Sequence, residues 1–185
     1  IGGQPRAIAD LNLKGELASA ITIANSFGLT KAGGVFDLET IEASGEVEMA
    51  IKTGFPVGPK LDRGDVDITV DANVSGGDLR NLPFDAEVTN AELVMSFRSE
   101  GISVTGSASI FDVPGNFSFV TDAAKGQVEF VGRANPSSQM AEKLAAFSGI
   151  EIGGEVGAAL TLNGDNAFTD LKVALAADMR RASVN

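Results

Sequence analysis

The chain has 185 residues and a formal net charge of −11, a balance that phosphate backbones and anionic lipid surfaces repel, so nucleic acid is not an expected partner. An apolar share of 44% and a mean hydropathy of +0.13 exclude a disordered chain and supply the core of one domain or a short run of repeats. There is no Cys for a disulfide or a thiolate metal site, no signal peptide is visible, and no stretch approaches the roughly 18 apolar residues of a membrane span.

The 22 Gly, set against 11 aromatic residues that are all Phe, suit many short strands and tight turns better than a helical bundle. The chain starts at Ile1 without Met and reads as an excised piece of something longer. In order, Leu11 to Leu17 alternates apolar and polar residues, and Ile21 and Ile23 keep the same spacing. Two strands are expected there, with Gly15 at a bend or bulge. Asn25 to Gly34 reads as a loop with Gly28, Gly33 and Gly34 as turn residues, and Val35 to Glu42, which lacks a decisive period, is assigned to a strand.

Gly45 to Lys52 is a strand with Val47, Met49 and Ile51 on one side, and Gly54 to Pro59 is expected to be a loop because neither proline donates to a ladder. From Asp65 to Val74 every second residue is apolar, the period of a strand with one wet face. Ser75 to Phe84 reads as a turn-rich connection. Leu93, Met95 and Phe97 alternate with Glu92, Ser96 and Arg98, Val94 being the exception on the polar side. After a Glu100-Gly101 turn, Ile102, Val104, Gly106, Ala108 and Ile110 alternate with Ser and Thr; a second turn, Asp112 to Gly115, leads to Phe117 and Phe119, and strand signals continue through Val128 and Phe130 to Gly132.

One helix is expected, Pro136 to Phe147, with Asn135 as its cap, Pro136 at the first helical position and Gly149 as the left-handed C-terminal residue. Met140, Leu144 and Phe147 lie on one face and should pack on or cap the sheet. Gly154 to Leu162 echoes Gly45 to Ile51, Asp170 to Leu175 echoes Asp65 to Val70, and Leu11 to Gly15 echoes Ile102 to Gly106. These echoes suggest degenerate repeats over roughly 1–98 and 99–185. Stacked repeats that each leave an apolar face open would give an elongated, open-ended sheet.

The Gly-Glu-Val strand start at Gly45, the proline loop after it, the Gly77-Asp78-Leu79-Arg80-Asn81-Leu82-Pro83-Phe84 connection, the Ile102 to Ala108 strand and the Val113-Pro114-Gly115 turn together resemble the periplasmic repeat region of AsmA-like envelope proteins. The resemblance is to the YhdP-like branch, more distantly to TamB, and covers roughly Gly45 to Arg181. It implies a twisted antiparallel sheet folded into a U-shaped hydrophobic groove that carries phospholipids across the periplasm of Gram-negative bacteria. It further implies an inner-membrane anchor outside this chain and neighbouring repeats on the same parent chain.

The residues allow the same picture. In a sheet curled into a gutter, inward side chains form an apolar floor for acyl chains while charged head groups stay in water. The candidate floor is Val66, Ile68, Val70, Leu93, Met95, Phe97, Ile102, Val104, Phe117, Phe119, Val128 and Phe130. The same residues would equally make a closed core packed on the helix, and the chain would then be a structural or adhesive β-domain that transports nothing.

An enzyme is not expected. With no His and no Cys, the usual nucleophile and base pairs are missing, and neither G-x-S-x-G nor S-x-x-K occurs. Asp65, Asp67 and Asp71 fall on the polar side of a strand, and no calcium-loop spacing accompanies them. Arg63-Gly64-Asp65 reads as a turn before a strand, and Asn163 to Asn166 as a hairpin turn. Nothing calls for a cofactor or a metal.

Overall fold

A computed structural model describes residues 5–26, 40–58, 66–82, 86–165 and 170–184. Among them, nine strands form one open, curled antiparallel sheet, and their spatial order is their order in the chain. The strands are β1 (Arg6–Glu16), β2 (Glu42–Pro56), β3 (Asp67–Leu82), β4 (Ala86–Arg98), β5 (Gly101–Ile110), β6 (Val113–Asp122), β7 (Gln127–Ser137), β8 (Ile152–Asp165) and β9 (Lys172–Val184). Among the described residues two short helices interrupt the meander: α1 (Leu17–Ser26) after β1, and α2 (Ser138–Ser148) after β7.

Several sequence expectations change. The second strand expected around Ile21 and Ile23 is instead α1. Leu17, Ala20 and Ile21 follow helical spacing, and Leu17 and Ala20 are buried in the core, whereas Ile23 points outward. Gly15 is no bulge, because β1 keeps one register against β2 over its whole length. The loop and strand expected over residues 27–39 lie outside the described residues, as do Pro59, Arg63 to Asp65 and Phe84.

Glycine and proline mark fewer chain reversals than their chemistry suggests. The strand β2 runs on through Gly54 and Phe55 to Pro56, which pairs with Arg6 at the strand's last residue, beyond the last β3 partner. Its missing N–H therefore breaks no ladder bond on that side. The connection expected from Ser75 onward is a continuation of β3, in which Gly76 (φ 58°) and Asn81 (φ 59°) absorb the register shifts against β4 as bulges. The turn expected over Asp112 to Gly115 sits earlier, at Phe111-Asp112; Pro114 lies inside β6, where pairing to β7 begins only at Gly115. Asn163 to Asp165 likewise belong to β8.

The helix α2 starts two residues later than the proline suggested. Pro136 still belongs to β7, and the cap is Ser137, whose hydroxyl accepts from the Met140 N–H at 3.1 Å. The C-terminal expectation holds: Gly149 adopts φ 71° and donates to the Ala145 carbonyl at 2.8 Å. Replacing Ser137 by Ala should lower stability by about 1 kcal/mol, read as a shift in the urea midpoint at constant m-value.

Both helices link strand ends at the same end of the sheet, here called the helix end. The helix α1 packs on β2 and β1, and α2 on β8 and β7. A strand–helix–strand–strand unit thus occurs twice, as β1-α1-β2-β3 and as β7-α2-β8-β9. In each unit the strand after the helix carries a positive-φ glycine beside a bulge: Gly45 (φ 111°) in β2 and Gly154 (φ 84°) in β8. On this placement Leu11 to Gly15 corresponds to β7, not to the Ile102 to Gly106 segment it echoes in sequence.

Candidate functional site

Directly paired residues of an antiparallel sheet point to the same face, so the register assembles the site strand by strand. One row runs Leu13, Met49, Ala72, Met95, Val104, Phe119, Phe130, Leu162, Val173 and crosses all nine strands without a polar side chain. Beside it, towards the helix end, a second row runs Gly15, Val47, Val74, Leu93, Gly106, Phe117, Gly132, Leu160, Leu175. A third row on the far side takes in Leu11, Ile51, Val70, Phe97 and Ile102. At a strand spacing of about 4.8 Å, eight steps make each full row about 38 Å long.

The opposite face differs sharply. Its row through Lys14, Glu48, Asn73, Val94, Thr105, Ser118, Val131, Thr161 and Ala174 is largely polar, and Lys14 Nζ pairs with Glu48 Oε1 at 2.8 Å. Val94, the residue that broke the sequence pattern, is 60% exposed there.

Burial divides the apolar face along its length. Near the helix end Val47, Val74, Leu93 and Ala108 form a buried cluster with Leu17 and Ala20 of α1. In the all-strand row Met95, Val104, Phe119, Phe130 and Leu162 are only half-buried. At the two edge strands the face reaches water, with Leu11 51%, Val173 61% and Leu175 59% exposed. No second sheet packs on it among the described residues.

Eleven of the twelve expected floor residues fall on this face, and Val66 lies just before it. Val70, Leu93, Met95, Phe97, Ile102, Val104, Phe117, Phe119 and Phe130 stand in the three rows. Ile68 lies further out, opposite Thr53; Val128 is buried opposite Thr121; and Val66 precedes the first residue of β3. The rings of Phe117 and Phe130 stack with centroids 6.0 Å apart. Sequence reasoning missed the contributions of β1, β2, β8 and β9: Leu11, Leu13, Val47, Met49, Leu160, Leu162, Val173 and Leu175. Their alternation was visible; their register was not.

Of the expected helix face, Met140 and Leu144 hang over a cavity of about 310 Å³ whose floor includes Phe117, Phe130, Leu160 and Leu175. The Phe147 side chain lies outside the described residues. A more polar hollow of about 570 Å³ opens among the β6–β7 and β8–β9 strand ends, where Lys125 Nζ and Asp122 pair at 2.8 Å. On β9 the Arg180 guanidinium holds the Asp178 carboxyl down at about 2. No group of three His, Cys, Asp or Glu residues able to hold a metal occurs among the described residues.

No family model, curated protein or solved structure matches this chain. No helix among the described residues is long and apolar enough to cross a membrane.

Proposed function

We propose that this chain is a segment of a bridge-like lipid-transport protein of the AsmA-like type, and that its curled sheet acts as a groove for phospholipid acyl chains. The observation that supports this most is the pair of apolar rows that cross every strand, end on the exposed Val173 and Leu175 at the β9 edge, and lie beside the exposed Leu11 at the β1 edge. A row of about 38 Å exceeds the roughly 30 Å hydrocarbon thickness of a whole bilayer, so it offers an extended acyl chain continuous contact. Each methylene moved from water onto such a surface contributes about 0.8 kcal/mol. Head groups would remain outside, near the strand ends.

The reading assigns no chemistry to the chain: it acts as a conduit. Its β1 and β9 edges, unpaired among the described residues, would join neighbouring repeats of the parent protein, so the rows would continue beyond this segment. The parent would sit in the periplasm, anchored in the inner membrane by a segment outside this chain. Native mass spectrometry and lipid extraction of protein purified from a bacterial host provide the test. Co-purifying phospholipid is the expected result. Lipid-free protein that also fails to bind a fluorescent fatty acid would overturn the reading in favour of a structural β-domain.

A further inference from the structure

The hollow under α2 differs from the rest of the apolar face. Met140 and Leu144, four residues apart and so on one side of the helix, form its roof, while Ala141 is 2% exposed and anchors the helix. Beneath the helix the sheet presents a row of small residues: Ala108, Gly115, Ala134, Ala158 and Ala177. Side chains this small leave the space unfilled, and about 310 Å³ remains between roof and floor. That is the lower end of the roughly 300–1,000 Å³ typical of small-molecule sites.

The rim carries charge. Lys143 lines the cavity, and its Nζ stands 4.0 Å from Asp112 Oδ2, a loose and exposed pair. Arg133, also beside the cavity, belongs to the opposite face by strand alternation, since Gly132 and Ala134 are its floor neighbours. The β5–β6 turn forms the other lip, and both its residues, Phe111 (φ 50°) and Asp112 (φ 62°), adopt left-handed conformations that tight hairpins normally give to Asn and Gly. This costly backbone sets Phe111, 50% exposed, at the mouth, with Asp112 facing Lys143.

Accepting that the apolar face takes lipid, the geometry points to this cavity as a separate site for one linear acyl chain with a single anionic head, of the fatty-acid class. The volume admits one chain and not the two of a diacyl lipid. The lining offers a hydrocarbon tail only apolar contact, and the Lys143 ammonium at the rim offers a carboxylate its counter-charge in exchange for the loose Asp112 pair.

The test titrates the whole chain with 11-(dansylamino)undecanoic acid and displaces the probe with dodecanoate or with dodecan-1-ol. Wild-type protein should bind one probe tightly in this cavity, above any weaker binding along the open rows, and both competitors should displace that tight phase. Ala158→Phe, which fills the cavity, should abolish that tight phase. Lys143→Glu should weaken dodecanoate about tenfold and leave dodecan-1-ol unchanged. If Ala158→Phe does not fold, the exposed Lys143→Glu decides alone. Absence of probe binding, indifference of dodecanoate to a folded variant, or equal weakening of acid and alcohol would overturn the assignment. Phospholipid on the purified protein together with dodecanoate binding indifferent to both changes would sink this site and spare the transport reading. Phospholipid-free protein that binds dodecanoate only in the cavity, lost in Ala158→Phe and weakened in Lys143→Glu, with no binding along the open rows, would do the reverse.

Discussion

Val104→Asp should abolish phospholipid binding along the open rows and leave a folded protein. Val104 stands in the middle of the row that crosses every strand, between Met95 on β4 and Phe119 on β6. It is half-buried, so water still reaches the site and an ionised carboxylate there keeps part of its hydration. Losing half-burial of a valine and placing Asp in a strand should together cost about 2 kcal/mol, within the roughly 5–15 kcal/mol by which domains are stable. A hydrocarbon chain lying across the same point would have to strip that hydration without replacing it, a penalty of several kcal/mol and a loss of binding of a hundredfold or more. Phe97→Asp, one row further from the helices, should behave alike. Phospholipid per protein by native mass spectrometry, read beside the thermal midpoint, decides the matter: a variant that unfolds marks these positions as core and removes them from the site.

The second large effect falls on the backbone. Gly154→Ala should lower stability by about 2–4 kcal/mol, because φ is 84° and a methyl group there would stand 2.3 Å from the Arg181 carbonyl oxygen on β9. Backbone on both sides leaves neither strand room to yield. Gly15→Ala is the matched control: no atom lies within 4 Å of its added methyl, φ is ordinary, and the change should be neutral to mildly stabilising. Urea midpoints of the two variants at equal m-value test the contrast. Equal midpoints would show that the bulge beside Gly154 relaxes freely.

Alternation of apolar and polar side chains carried most of the sheet, since a strand with one wet face writes its period directly into the sequence, as from Asp67 to Val74 or Ile102 to Ile110. Three kinds of feature escaped. Ile21 and Ile23 stand two apart, but the helix they belong to is fixed by Leu17 and Ala20 settling against Val47 and Val74, a tertiary choice local spacing does not record. Gly76, Gly77 and Asn81 read as a reversal, whereas a long twisted strand uses them as bulges and continues. Pro114 reads as a turn, yet it is tolerated inside β6 because the neighbouring strand has not yet begun to pair. For the site, the direction in which each side chain points was legible, and the partner it meets was not. Register depends on turn geometry and bulges summed over several strands, which is why the outer strands' share of the rows emerged only from the fold.

Strand order identical to chain order has a consequence for how the protein comes into being. Each strand finds its first partner in the segment just before it, so no strand synthesised early must wait for one made late. Contacts of this kind close short loops, which favours quick assembly, and the sheet can lengthen one strand at a time from its amino-terminal side as the polypeptide emerges. The growing margin is at every moment an unpaired strand, so until the next segment arrives the nascent protein presents the very edge that invites pairing with a foreign one.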